Sequence, residues 1–412
     1  MGNNEVIMKI KTALISLSDK RKLKPLLNVL KKNKIKIIST GGTYKEIKKL
    51  KFNCVEVSKF TNSPEILEGR VKTLHPKIHA GILNKRENKL HLNDLRINDF
   101  ENIDLVIVNF YPFEKIIKNT VKHTKIIENI DIGGPTMVRS AAKNYKDVTV
   151  ITSSEQYDEL IDQLNKHKGS TSLNFREKLS RIAFTETAYY DSIISDYFNK
   201  VSNIKFPKKR VLYGNLIETL RYGENPHQES GIYSRKLEMD IKQIQGKQLS
   251  YNNYNDIFAA LTISRSLPKN TGTVIVKHAN PCGVSIKKNH LESYKSALAC
   301  DPVSAFGGIV SCNFKITKLL AIELNKLFLE VIIANNFDTN ALKILRKKKN
   351  VRLIDASNYK INNGLKHISI NNEILIQSED LKKFTTKDFK IVSKRKPTSK
   401  EMKNLIFAFN IC

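Results

Sequence analysis

Cysteine is scarce in this chain: five residues among 412, an odd number with no paired spacing. That excludes a disulfide framework and fits a reducing compartment. No apolar run reaches the roughly 18 residues that a membrane helix needs. The N-terminus, MGNNEVIMKIKTALISLSDK, lacks a charged segment followed by a long apolar one, so no signal peptide is read there. The expected location is the cytoplasm. With 17 Gly and 11 Pro, the composition is neither collagen-like nor of low complexity.

Acidic residues are the other deficit, 40 against 70 Lys and Arg, for a net charge of +30. Taken at face value such an excess points to nucleic acid or an anionic surface. Lys, however, is spread with Asn and Ile over the whole chain. We read it as solvated surface arising from compositional drift, in a field that would also steer small phosphate-bearing anions. No nucleic-acid partner and no membrane are expected.

What is present is room and alternation. The length of 412 residues, 41% of them hydrophobic, accommodates two domains that each bury a core. In the first half, residues 13–17, 35–38, 105–108 and 148–151 read as buried strands alternating with helical patterns. That is the signature of a parallel sheet covered by helices. Small and polar residues follow these strands, and in such a sheet the loops at the carboxyl ends converge on one ligand site. A long amphipathic pattern over 175–198 closes the unit. The expected division is a domain over 1–199, a linker over 200–210 carrying Pro207, and a second domain over 211–412.

Several motifs carry chemistry. Ser39-Thr40-Gly41-Gly42-Thr43 follows a strand and opens a helix, which suits either an anion cradle or a tight turn. It is neither a Walker loop nor a dinucleotide fingerprint. Arg70, Lys72 and Thr73 crowd into E-G-R-V-K-T-L-H-P, a spacing suited to a phosphorylated substrate or to a solvated loop. Asn109 and Tyr111 fall at a strand end, facing a ligand or packing as aromatic core. Asp131, Gly133 and Gly134 open a helix that carries Lys143 two to three turns on, and Asp131 is equally suited to capping that helix.

In the second half, Arg221 and Tyr222 stand in R-Y-G-E-N-P-H-Q, either an anion-binding loop or a plain turn. Asn255 and Asp256 lie in L-S-Y-N-N-Y-N-D ahead of an expected helix, as caps or ligand contacts. Lys277 and His278 follow a buried strand over 273–276 and precede H-A-N-P-C-G. Zinc deaminases carry H-x-E and P-C-x-x-C. Here Asn280 replaces the acid/base Glu and Ser285 the second Cys, so no metal is expected.

From L-I-S-L-S-D-K at 14–20 to K-R-K-P at 394–397, these strings and their order resemble the bifunctional purine-biosynthesis family that joins AICAR transformylase to IMP cyclohydrolase. The resemblance implies a methylglyoxal-synthase-like doubly wound α/β domain that closes formyl-AICAR to IMP. It implies next an incomplete cytidine-deaminase-like α/β domain without metal, which formylates AICAR from 10-formyltetrahydrofolate as co-substrate. No tightly bound cofactor is expected, and a homodimer is. Carried over by position, Ser16, Ser18, Lys20, Ser39, Thr40, Gly41 and Thr43 would hold phosphate and ribose. Arg70, Lys72, Thr73, Asn109, Tyr111, Asp131, Gly133, Gly134 and Lys143 would surround the base. Lys72, Tyr111, Asp131 and Lys143 would carry the cyclisation. In the second domain His278 would take a proton from the amine and Lys277 would stabilise developing charge, while Arg221, Tyr222, Asn255 and Asp301 would bind the nucleotide.

The chain departs from the family at Asn335-Asn336, where I-I-A-P is usual, and at Asn371-Asn372-Glu373, where a glycine pair is usual. Family segments expected after residue 412 are not in the sequence. The expectation is therefore a C-terminal truncation, with the cyclohydrolase intact and formyl transfer doubtful in this chain alone. The alternatives are that both activities persist with the segment supplied elsewhere, or that the chain is a basic nucleic-acid-binding protein.

Overall fold

The computed structural model describes residues 7–361 and 364–411. Residues 1–6, where the signal-peptide reading begins, and Cys412 lie outside them. The chain divides into two compact units, Met1–Tyr213 and Gly214–Cys412.

In the first unit, aliphatic runs with little polar alternation form central strands buried on both faces, as a sheet covered by helices on each side requires, with a short half-buried strand at one edge. They are β1 (Thr12–Leu17), β2 (Lys36–Ser39), β3 (Val55–Glu56), β4 (Leu105–Asn109) and β5 (Thr149–Ile151). All pairings are parallel, in the order β3-β2-β1-β4-β5. The four predicted strands match observed ones to within a residue or so. The chain winds outward from β1 in one direction and then in the other, so the crevice between the loops after β1 and β4 is the switch point where ligands bind in such sheets.

Helix α1 (Leu23–Lys32) buries Leu23, Leu26, Leu27 and Leu30, an apolar stripe at helical spacing. Helices α2 (Gly41–Lys49) and α3 (Gly133–Lys143) start at the carboxyl edge of the sheet. Helix α4 (Leu173–Val201) runs past residue 200, so the start of the expected linker is still helical. On α4 the guanidinium of Arg176 is fully buried and donates to the carbonyls of Tyr145, Lys146 and Thr171.

The second unit is built on a mixed sheet of β6 (Lys242–Gln245), β7 (Gly272–Lys277), β8 (Asn280–Ile286), β9 (Ile309–Cys312), β10 (Val331–Ala334) and β11 (Arg352–Asp355). Their order is β6-β11-β10-β9-β7-β8, with β9, β10 and β11 parallel and the other pairs antiparallel. Alternate side chains serve the two faces. Val274, Val276, Ile333 and Ile354 pack with Ile257 and Leu261 of α5 (Tyr251–Ser266), while Ile275, Val310, Ile332 and Leu353 pack with Tyr294 and Ala297 of α6 (His290–Leu298). Because β7 runs against β9, the end of β7 and the starts of β9, β10 and β11 share one sheet edge.

The departures from the family pattern have local accounts. Asn371 turns the hairpin between Leu365–Ile370 and Glu373–Ser378 at φ 52°, a left-handed conformation that Asn tolerates better than most residues. Asn335 donates to the carbonyl of Asn313 at 2.7 Å and accepts from the Arg265 guanidinium, so it ties β10 to its neighbours. Among the described residues no helix is long and apolar enough to cross a membrane.

Candidate active sites

The first site is assembled by the loops at the carboxyl edge of the five-stranded sheet. The Asn109 side chain, at the end of β4, accepts from the N–H groups of Ser18 and Asp19 at 2.7 and 3.0 Å and donates to the Asp19 carbonyl at 2.8 Å. It thereby locks the loop after β1 to the loop after β4 across the switch point. Ser16 and Thr40 share a hydroxyl hydrogen bond of 2.8 Å. Thr43 Oγ1 accepts from Leu17 N–H at 2.8 Å and donates to the Leu17 carbonyl at 3.1 Å, and the buried Ser39 hydroxyl donates to the Ile15 carbonyl. Ser39 and Thr43 therefore shape the cradle, leaving the N-terminus of α2, Ser16, Thr40 and the half-buried Lys20 open to an anion.

Residues 72 and 73 link two helix N-termini. A Cβ added to Gly41, at the start of α2, would lie 3.4 Å from Lys72 Nζ, and one added to Gly133, at the start of α3, would lie 2.5 Å from Thr73 Oγ1. Lys72 pairs with Glu65 at 2.9 Å, and Arg70 pairs with Glu128. Asp131 caps α3 by accepting from Gly134 N–H at 2.8 Å and also from the Tyr111 N–H, while its own N–H donates to Tyr190 Oη at 2.8 Å. Burial raises the Asp131 carboxyl above its usual range, with those two amides opposing the shift. Burial likewise pushes the Tyr190 phenol up to about 12. The Tyr111 side chain is half exposed over this edge.

Lys143 is not gathered with the others. It is the exposed last residue of α3, and ten residues at 1.5 Å each put it about 15 Å along the helix from Gly133.

The second site lies at the shared edge of the six-stranded sheet. Lys277 ends β7, Asn280 begins β8, and the two pair across a two-residue turn made by His278 and Ala279. Both turn residues are left-handed, at φ 55° and 60°. Asp256 of α5 holds them, accepting from Ala279 N–H at 2.7 Å and from His278 N–H. Burial raises the Asp256 carboxyl, and these hydrogen bonds oppose the rise. Lys277 donates to the Phe306 carbonyl at 3.0 Å, joining the turn to the loop that holds Asp301. The Asp301 carboxylate caps its own loop at Ser304 N–H, 2.9 Å, and the Ser304 contacts hold it below its usual range.

The Arg221 guanidinium stacks over its neighbour Tyr222, 5.4 Å from the ring centroid. The loop carrying both is closed by Gly223 N–H to the Gln228 carbonyl at 2.6 Å and is tied to α5 by Asn252 donating to the Glu224 carbonyl. Asn255 and Asp256 are not the helix caps. Ser250 is the cap, in a reciprocal box with Asn253, and Asn255 lies exposed one turn inside. Asn253 also donates to Glu330 at 2.9 Å, and Glu330 faces the buried Arg352 at 3.6 Å. Arg352, which senses the charge of Arg221, and Glu330 stand at the starts of neighbouring parallel strands; no local sequence signal brings them together. Ser250 and Asn253, by contrast, carry the three-residue spacing of a capping box. Among the described residues no three His, Cys, Asp or Glu side chains gather as a metal site.

A family model described as AICARFT/IMPCHase bienzyme matches residues 141–412, and one described as MGS-like domain matches residues 22–136. The bifunctional purine biosynthesis protein PurH of Rhodospirillum rubrum is 42% identical over 409 residues, covering 98% of this chain and 78% of that protein. The PurH of Leptospira biflexa is 43% identical, covering 98% and 79%, and that of Persephonella marina 44%, covering 97% and 79%. A solved structure titled as that of ForH is 28% identical, covers 46% of this chain and 99% of its own, and has a TM-score of 0.42. The bienzyme match extends through the whole second unit, and the expected truncation with loss of formyl transfer is not evidenced.

Proposed function

The chain belongs to the AICARFT/IMPCHase bienzyme family, the enzymes of the last two steps of purine biosynthesis, and we propose that each of its two units houses one of those steps. In the first unit the phosphate of formyl-AICAR lies at the N-terminus of α2, against Lys20, Ser16 and Thr40. The base lies toward the N-terminus of α3. The carboxamide nitrogen attacks the formyl carbon, the former carbonyl oxygen gains negative charge and then a proton, and water leaves as the ring closes to IMP. Lys72 and Tyr111 donate to that oxygen as charge develops. Asp131, half-buried and held by two amides, accepts the proton of the attacking nitrogen. The observation that carries this reading is the span of Lys72 and Thr73 between two helix N-termini, which matches a ligand with phosphate at one end and a reacting carbonyl at the other. Lys143, at the far end of α3, has no part in it.

In the second unit the AICAR amine attacks the formyl carbon of 10-formyltetrahydrofolate. The bond from that carbon to the folate nitrogen breaks, and tetrahydrofolate leaves. His278 takes the amine proton, Lys277 stabilises the oxygen, and Arg221 with Tyr222 binds the nucleotide.

Purified protein should convert formyl-AICAR to IMP in a spectrophotometric assay, and Lys72→Ala should slow turnover by on the order of a hundredfold, as for loss of one oxyanion donor. Tyr111→Phe slows it in the same direction. Wild-type turnover at the background rate sinks the cyclohydrolase assignment. Formation of formyl-AICAR from AICAR and 10-formyltetrahydrofolate, abolished by His278→Ala, is the corresponding test of the second unit.

A further inference from the structure

A lysine side chain has four rotatable bonds, and a flexible ammonium is a poor oxyanion donor unless something holds it still. The surroundings of Lys72 hold it on three sides. Gly69, at φ 87°, leaves so little room that an added Cβ would lie 2.5 Å from Lys72 Cε and 2.9 Å from Nζ. Gly41 lines the other side, where an added Cβ would lie 3.4 Å from Nζ. The Glu65 carboxylate closes the third at 2.9 Å.

Glu65 is delivered to this place by an unusual loop. Ile66 and Val71 exchange hydrogen bonds in both directions, at 3.3 and 3.4 Å, which closes residues 66–71 into a tight antiparallel turn. Glu65 and Lys72 emerge side by side from the base of that turn. Inside it Leu67, Glu68 and Gly69 are all left-handed, at φ 54°, 54° and 87°. Two consecutive side-chain-bearing residues in that region are strained, and such strain clusters where a site requires it. The neighbouring cation is separately engaged, since Arg70 pairs with Glu128. The sequence reading did not single out Glu65.

We infer that Glu65 is a positioning residue for cyclisation: its carboxylate holds the Lys72 ammonium in the slot between Gly41 and Gly69, beside the N-terminus of α2. This rests on the reading of Lys72 as an oxyanion donor. Glu65 itself touches neither substrate nor the reacting atoms.

The test is a double-mutant cycle with a second, activity-independent readout. Glu65→Gln lowers kcat for formyl-AICAR cyclisation by about tenfold to a hundredfold with KM little changed, the pattern of a misplaced group. Glu65→Asp, which keeps the charge but draws it back by one methylene, falls between Glu65→Gln and wild type. In a Lys72→Ala background Glu65→Gln adds nothing, because its effect runs through the lysine. Additive losses overturn the inference. Amine acetylation followed by mass spectrometry then reads Lys72 directly. Lys72 is protected in the wild type and labels several times faster in Glu65→Gln, while the other lysines are unchanged. Equal labelling overturns the inference whatever the activities are. A wild type that protects Lys72 but does not cyclise overturns the proposed function instead and leaves the pairing standing.

Discussion

Asp131 joins two demands that pull in opposite directions. Its carboxyl is partly buried, which raises its pKa above the value of an unfolded chain, while the amides of Gly134 and Tyr111 partly restore the ionised form. A raised acid binds its proton more tightly when folded. Its contribution to stability is therefore fully present below the unfolded pKa and is lost as pH rises through the folded one, so at neutral pH the ionised carboxylate is a burden on the fold. Asp131→Asn keeps an oxygen for the two amides and removes the charge. We expect a melting temperature at neutral pH equal to or above wild type, with a difference that vanishes toward pH 4, together with a large loss of cyclisation. A variant that is both less stable at neutral pH and fully active contradicts the assigned role.

At the scale of elements, the turn after β7 is the informative case. A left-handed conformation costs a residue with a Cβ roughly 1–2 kcal/mol, and His278 and Ala279 both adopt it. Asp256 offsets that by accepting from both amides. Asp256→Ala should destabilise the second unit by about 0.5–1.5 kcal/mol, the net worth of a hydrogen bond whose donors, on the exposed His278 and half-buried Ala279, can turn to water instead. Ala279→Gly in that background should return about 1 kcal/mol by relieving the turn. Denaturant unfolding of the single and double variants checks both, and an Ala279→Gly change without benefit contradicts a strained turn. The same element shows where sequence reading stops. The strands and helix starts of the first unit were legible because β-branched runs end in small polar residues: Asn109 falls at such a strand end and Asp131 just ahead of the glycines that open α3, while Lys72 and Thr73 stood out only as a cluster of cations and hydroxyl in a loop. The partners that hold the reacting groups were not legible. Asp256 reaches the His278 turn from a helix, and Glu330 meets Arg352 across parallel strands, so only the register of a folded sheet makes them neighbours. Glu65 was hidden for another reason: left-handed Leu67 and Glu68 give no compositional sign of a turn.

Over the whole molecule, the net charge of +30 acts on ligands of one sign. Raising the salt from about 0.05 to 0.5 M shortens the screening length severalfold, so KM for formyl-AICAR should rise while kcat changes little. A KM indifferent to salt would mean that the excess Lys is too diffuse to steer substrate. The first unit ends at Tyr213, and the groups proposed for cyclisation lie between Ser16 and Asp131. A protein of residues 1–213 should therefore cyclise formyl-AICAR at a rate within about threefold of the full chain, the spread expected of context effects alone. That arrangement also bears on synthesis. A ribosome adding about 5–20 residues per second completes the whole first site before it adds Gly214, so the earlier unit can fold and begin to retain nucleotide while the later one is still being translated.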